Sequence, residues 1–554
     1  MALKILLVGI NARFTHSNLA IRYLRNAIQD FQDEVEIVEF SINQHFPDIL
    51  QDIYFRKPDI LGFSVYIWNS SLIKQLLPEI KKVLPNCLLV LGGPEVSYNS
   101  EEWLNHFPVI DHIIIGPGEA GFRFLVEKGF AWKDQIIAKQ NPPFSEIPFP
   151  YLETDFPELE YKYIYYESSR GCSFRCSYCL SSRNDQKLEF RSIGQVKTEL
   201  DWLLKRNPKI IKFVDRTFNI RPDFAREIWA FLNEKKTNVK FHFEIHPELL
   251  TEVDFKILKN CPEERFQFEI GIQSTNPATL YEIHRSQNWG KVKANITQLK
   301  ELGNIHLHVD LIAGLPLEDK NSLINSFNDI ISLQADHFQV GFLKVLPGTE
   351  MQENAAEYGL VFQQNPPYQI LKNKWLSFEG LVEFSQVEKL VNSIYNSENF
   401  PKTFLNLVKK FESSYLMFSK LFSFAEQQNF DLNQRDWQNV ARLLWDFAKV
   451  EFSEMKNIFL DCLRWDWCQI AAGHHYPDFL DSAETKDWKE IGLNSLRNQK
   501  DDIQRRLNLI LQSSQINRAI FFRPISKEFR LEMDLTDSIY AFVPVGKRKV
   551  RIAL

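Results

Sequence analysis

Apolar runs alternate with amphipathic stretches over the first 140 residues. "LKILLVGI" reads as a continuous apolar run, as expected of a strand covered on both faces. "NLAIRYLRNAIQDF" has helical periodicity. The runs "VEIVEFSI", "DILGFSVYIW", "CLLVLGGP" and "DHIIIGPGE" come next, each followed by a polar or helical stretch. Five buried strands with helices between them predict a doubly wound parallel sheet. Ligands of such sheets lie at the carboxyl ends of the strands. The loops at Asn11–Ser17, Ser64–Asn69, Gly92–Val96 and Gly116–Glu119 are therefore expected to converge on one crevice.

The pattern then changes three times. Residues 141–160, "NPPFSEIPFPYLETDFPELE", are proline-rich and aperiodic, as in a linker or strap. Residues 161–368 alternate again, through "YKYIYYESS", "KIIKFVD", "VKFHFEIHP", "RFQFEIGIQ", "IHLHVDLIAG" and "HFQVGFLKVLPG". About six βα units predict an open, partial barrel with function at the carboxyl ends of its strands. From 369 to 554 the chain reads as long helices, such as "TFLNLVKKFESSYLMFSKLFSFAEQQ" and "WQNVARLLWDFAKVEFSEMKNIFLDCLRWDWCQI", followed by a short β tail. No internal repeat and no low-complexity tract interrupts this order.

Composition narrows the class only modestly. The 554 residues carry 44% hydrophobic and 25% charged positions, an ordinary globular balance. Formal net charge is −6, which gives no global basic footprint for nucleic acid. "GKRKVRIAL" is the nearest basic patch and reads as a solvated tail. "MALKILLVGINARF" turns polar at Asn11 and Arg13, so it reads as a first strand rather than a signal core. No apolar run approaches the roughly 18 residues of a membrane helix. Seven cysteines, three of them clustered, argue for a reducing compartment, read as cytoplasmic, and for metal chemistry over disulfides.

That cluster lies in "ESSRGCSFRCSYCL", where Cys172, Cys176 and Cys179 are spaced C-x-x-x-C-x-x-C. Three thiolates on a loop suit three irons of a [4Fe–4S] cluster and leave the fourth iron open to an exogenous ligand. Gly171 lets the backbone turn there, and the spacing cannot set all three side chains on one helix face. The competing readings are three unrelated cysteines, or a zinc knuckle with a distant fourth ligand.

C-x-x-x-C-x-aromatic-C after the first strand of a partial βα barrel resembles the radical S-adenosylmethionine (SAM) superfamily. The resemblance covers roughly residues 160–365. It implies that Cys172, Cys176 and Cys179 ligate the cluster, that SAM chelates the open iron, and that Tyr178 lies against the adenine. "FHFEIHPE", "GIQSTNPATLYEIHRSQ" and "VDLIAGLP" resemble the stretches that hold SAM in the branch containing anaerobic coproporphyrinogen dehydrogenase. They imply Glu244, Gln273, Arg285 and Asp310 as SAM contacts. A ribose diol, an amine and a carboxylate call for such partners. The family's Gly-Gly-Glu is absent, and "FVDRTFN" stands in its place, leaving the role of Asp215 open.

The first domain, with "LGGPEVSY" and "IIIGPGEAGF", resembles the Rossmann-like cobalamin-binding domains that precede many radical SAM barrels. Its candidate contacts are Ser64, Tyr66, Gly92, Gly93, Pro94, Gly116 and Glu119. The motif D-x-H-x-x-G is missing, so cobalamin is expected without a protein histidine below cobalt; His16 follows the first strand but lacks that context. The C-terminal region resembles an uncharacterised domain found on some such proteins. Cys462 and Cys468, with His474 and His475 nearby, form a candidate second metal site. Against it, residues six apart on a helix do not share a face. The aromatics are read as core rather than as a base-stacking platform.

Together these resemblances imply an α/β chain with a cobalamin domain, a partial (βα)6 barrel and a mostly helical C-terminal domain. The implied activity is methylation of a poorly activated carbon through a 5′-deoxyadenosyl radical and methylcobalamin. A non-methylating radical rearrangement or cyclisation, and a non-catalytic regulatory protein, stand as alternatives. A flavodoxin or ferredoxin is the implied electron donor. The substrate class, whether small molecule, RNA base or peptide, is not legible.

Overall fold

The computed structural model describes residues 3–31, 34–182, 187–285, 287–470, 475–508, 510–546 and 548–554. The chain forms two compact units, Met1–Ala335 with Gln339–Leu381, and Asp336–Phe338 with Val382–Leu554.

The first unit opens with a parallel sheet of β1 (Lys4–Asn11), β2 (Glu34–Ser41), β3 (Ile60–Ser64), β4 (Leu88–Gly92), β5 (His112–Ile115) and β6 (Ile136–Ala138). Their spatial order is β2-β1-β3-β4-β5-β6. The sixth strand is an addition to the expected five; three residues are too few to register as an apolar run. Successive residues of β1 serve opposite faces. Leu6, Val8 and Ile10 enter one core with Leu61, Phe63 and Leu89, whereas Ile5 and Leu7 enter another with Ile60, Val90 and Ile114. Burial on both faces explains why the strand has so few polar positions. Each such side chain contributes about 1.5–3 kcal/mol of transfer free energy.

A second sheet follows, of β7 (Ile164–Tyr166), β8 (Ile210–Phe213), β9 (Lys240–Glu244), β10 (Phe266–Gln273), β11 (Ile305–Ala313) and β12 (His337–Phe342), neighbours in sequence order. Here the strands alternate. Phe241, Phe243, Phe266, Phe268, Leu307 and Val309 are buried on the face that packs under the helices. The intervening His242, Glu244, Gln267, Glu269, His308 and Asp310 are only half-buried and line the bore. The period of two thus gives the barrel an apolar outer wall and a polar interior.

Both edges of this open sheet meet the first domain. At β7, Tyr163 N donates to Thr15 O at 2.7 Å, Ser17 Oγ donates to Tyr163 O at 2.6 Å, and Tyr165 Oη lies 2.6 Å from His16 Nδ1. Beyond β12, Tyr368 Oη donates to the buried Glu95. The aperiodic strap between the sheets forms only short turns, pinned where Arg25 forks onto Asp155 at 2.6 and 2.8 Å and where Tyr151 Oη donates to Tyr165 O at 2.6 Å.

The second unit is mainly helical, with an antiparallel sheet of β13 (Ile520–Phe522), β14 (Tyr540–Val545) and β15 (Arg548–Ala553). Two stretches expected as continuous helices are divided. Pro401–Val408 and Ser414–Gln427 are separated at Ser413, whose hydroxyl caps Leu416 N; Trp437–Glu451 and Lys456–Ile470 are separated near Phe452. No described helix is long and apolar enough to cross a membrane.

Candidate active site

The three-cysteine loop leaves the carboxyl end of β7. Its approach is clasped by Asp215, which accepts from Ser168 N at 3.1 Å, Ser168 Oγ at 2.6 Å and Ser169 Oγ at 2.5 Å. Burial raises the Asp215 pKa, and those hydrogen bonds oppose the rise. The residue in place of the family's Gly-Gly-Glu therefore anchors the loop. Gly171 follows with φ +84°, and a Cβ there would sit 2.4 Å from Lys187 O, so only glycine fits the turn.

None of the three cysteines is in a disulfide; Cys176 is buried and the other two are half-buried. Cys179 N donates to Cys176 O at 3.0 Å, which tightens the last turn. Burial raises the Cys172 thiol, with Cys179 and Cys176 adding to the effect. Among the described residues no three His, Cys, Asp or Glu side chains close on a single ion. A four-iron cluster takes its thiolates on different irons, so its ligands need no common point.

The expected SAM contacts gather around this loop. Arg285 Nη1 lies 3.6 Å from Cys176 Sγ, and Nη2 donates to Gly271 O. Burial opposes the Arg285 charge, but Tyr178 and Cys176 outweigh it and raise the pKa. Tyr178 is itself held neutral, chiefly by burial. Gln273 sits at φ +71°, a conformation uncommon outside glycine, and its buried Oε1 has no partner. Glu244 is pushed up to about 7 by burial, with Glu269, Asp310 and Asp215 adding and Arg216 opposing. Asp310 lies 3.1 Å from His308 Nε2 and is raised by burial. These five side chains thus belong to one electrostatic neighbourhood at the carboxyl ends of β7–β11.

Sequence reasoning passed over several participants. His246 is buried with neither ring nitrogen partnered; burial lowers it to about 3, and it stacks on Phe174 of the cysteine loop at 4.9 Å. Its signal was present in "FHFEIHPE", whose Glu244 alone was singled out. Arg170 was also missed. It pairs with Glu119 at 2.7 Å and Glu167 at 3.0 Å, and its guanidinium lies over the rings of Tyr23 and Phe144.

Of the loops expected to converge in the first domain, Ser64–Asn69 and Gly92–Val96 bond to each other, and the others are reached through adjoining residues. Val65 N donates to Gly92 O at 2.7 Å, Asn69 Nδ2 to Ile10 O at 2.9 Å, and Gly116 N to Ser97 Oγ at 3.2 Å. Gly93 has φ +110°, and a Cβ there would lie 2.5 Å from Val65 O; Pro94 follows as the first residue of a short helix. Beside Gly116 the space is open. Tyr66 and Trp68 stack at 4.4 Å, with Trp68 exposed. Ser64 is buried and accepts from Asn18 Nδ2 at 2.7 Å. Glu119, a candidate ligand contact by sequence, has its carboxylate committed to Arg170 and Asn141. Burial opposes its charge, but Arg170 wins and holds its pKa low.

Among the described residues the candidate second metal site brings no ligand set together. Cys462 and Cys468 are buried, and Cys468 Sγ lies 3.1 Å from Tyr476 Oη. His475 Nδ1 lies 3.4 Å from Lys489 Nζ, while His474 falls outside the described residues.

Residues 5–126 match the B12 binding domain, 166–330 the radical SAM superfamily, and 356–538 a protein family of unknown function, DUF4080. The chain thus joins three segments, one matching each of these families. An uncharacterized methyltransferase of Pyrococcus horikoshii is 24% identical over 374 residues, 63% of this chain and 80% of the relative. A cobalamin-dependent radical SAM methyltransferase, TokK, of Streptomyces tokunonensis is 24% identical over 369 residues, 60% of this chain. This match spans only 53% of TokK. The cobalamin-dependent S-adenosylmethionine radical enzyme OxsB, solved with aqua-cobalamin, shares the fold. Its TM-score is 0.60 at 13% identity, with 84% of each chain covered.

The residues present fit the groups these domains take. Three thiols outside any disulfide follow a glycine turn, the Gln273 oxygen is buried without a partner, and the Gly93 loop leaves no room for a side chain.

Proposed function

We propose that this chain is a cobalamin-dependent radical SAM methyltransferase acting on a poorly activated carbon. One observation carries the reading. The cysteine loop and the carboxyl-end loops of the B12 domain belong to a single compact unit, joined by the Glu119–Arg170 pair two residues before Cys172. Joining the carboxyl-end loops of two α/β domains in this way supports proximity catalysis between two bound cofactors.

When bound, the cluster with SAM supplies a 5′-deoxyadenosyl radical and cobalamin supplies the methyl group. The chain's own residues hold and orient. Cys172, Cys176 and Cys179 ligate the cluster. Gln273 and Asp310 offer acceptors to the ribose and amine of SAM, Glu244 adds a carboxyl held near neutrality, and Arg285 faces the sulfur of Cys176. Phe174 against His246 fixes the loop from the barrel side. Ser64, Tyr66, Gly92, Gly93, Pro94 and Gly116 shape the cobalamin side. An external one-electron donor, of flavodoxin or ferredoxin type, completes the reading.

The test is anaerobic reconstitution with iron, sulfide and cobalamin, followed by spectra and a dithionite-driven assay with SAM. A [4Fe–4S] signal, bound cobalamin and 5′-deoxyadenosine are expected, and Cys176→Ala should lose all but the cobalamin. A cluster without SAM cleavage under any reductant would shift the assignment to a regulatory role. SAM cleavage without cobalamin binding would leave a radical enzyme that transfers no methyl group.

A further inference from the structure

The barrel holds a row of polar side chains that the cofactor sites leave unused. Tyr165, Lys212, His242, Gln267 and His306 are successive register partners across five strands. His16 of the first domain extends the row, its ring nitrogen on the Tyr165 hydroxyl at 2.6 Å. Within this row Lys212 is unusual. Among the described residues no carboxylate lies within 4.0 Å of its ammonium, which lies over the Tyr163 ring at 5.1 Å. Glu269, the carboxylate best placed to neutralise it, is turned onto His242 Nε2 at 3.0 Å. The other ring nitrogen of His242 is buried and unpartnered. Burial lowers the Lys212 pKa, and Glu269 and Glu244 counter this only from a distance. Arg216, four residues on, is exposed, is likewise without an ion-pair partner among the described residues, and acts electrostatically on Glu244 and Tyr66.

A desolvated ammonium without a counter-ion is costly unless a ligand supplies the missing charge. Uncommitted donors in a half-buried bore also disfavour a hydrocarbon occupant, which would strip them of water and return nothing. We infer that the substrate carries an oxyanion group, a carboxylate or a phosphate, that docks on Lys212 inside the barrel. This rests on the proposed radical chemistry, because it places the substrate body between the anion subsite and the Gln273–Asp310 end of the bore.

The test uses the chain loaded with cluster and cobalamin, with limiting acetic anhydride as the amine label and peptide mass spectrometry as the readout. Inorganic phosphate and succinate serve as probes, with chloride at matched ionic strength as the control. Either probe at saturation should slow labelling of Lys212 by about fivefold or more, leaving surface lysines unchanged. Protection by succinate alone points to a carboxylate, and by phosphate alone to a phosphate ester. Protection by neither overturns the inference. So does a Lys212 that cobalamin loading alone already shields, since the anion would then be the cofactor's own phosphodiester. The same preparation is assayed for 5′-deoxyadenosine. If none forms while Lys212 is still protected, the radical reading fails and the anion subsite stands.

Discussion

Arg170 Nη2 lies 2.7 Å from Glu119 Oε1, joining the first helical turn after β5 to the strand end that launches the cysteine loop. The Arg170 side chain is only 18% exposed, and its guanidinium is shared with Glu167 at 3.0 Å. Burial and the two carboxylates compete here. Burial acts against the charge of Arg170, and the carboxylates outweigh it, so its pKa is raised.

Arg170→Met should therefore do more than remove a contact. It leaves Glu119 and Glu167 buried without their cation, a loss of about 3 kcal/mol or more. Urea unfolding should move to lower concentration, and both cluster and cobalamin content should fall after desalting. Loss of neither would show that the two sites are seated independently of this pair.

Asp215→Ala should loosen the cysteine loop, because Ser168 N, Ser168 Oγ and Ser169 Oγ lose one shared acceptor. The expected cost is about 2–3 kcal/mol. Iron and sulfide counts after gel filtration should drop, whereas Asp215→Asn should retain much of the cluster. Equal iron content in all three proteins would remove Asp215 from this role.

Gly171→Ala and Gly93→Ala should separate the two cofactors. Each glycine has a positive φ, and each Cβ would meet a carbonyl oxygen at 2.4 or 2.5 Å. The first variant should bind cobalamin but hold little iron. The second should hold iron and bind cobalamin at least about tenfold more weakly, a loss on the order of 1.4 kcal/mol. Absorbance spectra and metal analysis distinguish them.

Glu244 makes stability depend on pH. Its folded-state pKa of about 7 exceeds the ordinary 4.5, so the folded chain binds the proton more tightly than the unfolded one. The contribution is fully present below about 4.5 and is lost as pH rises through about 7. Glu244→Gln should flatten that part of the profile, by on the order of 1–3 kcal/mol between pH 5 and pH 8. Denaturation midpoints of the two proteins across this range provide the check. Parallel profiles would mean that Glu244 ionises normally.

The sequence by itself determined the two α/β layers and the cluster motif, because both are written locally. The continuous apolar run of β1 follows from burial on both faces, and three thiols within eight residues declare their chemistry without any partner. The turn at Gly171 was legible for the same reason, but the carbonyls that exclude a Cβ, Lys187 O there and Val65 O at Gly93, are brought up only by the tertiary fold. The edge strand Ile136–Ala138 and the break at Ser413 were not, being too short or too weakly marked against flanking apolar residues. Tertiary structure alone decided what the charged groups do. Glu119 and Arg170 lie 51 residues apart, and Asp215 reaches Ser168 across 47, so neither pairing has a local signature. The same is true of the row from His16 to His306. It arises only when parallel strands fall into register, and a polar residue in an alternating strand gives no sign of which neighbours it will meet across the bore.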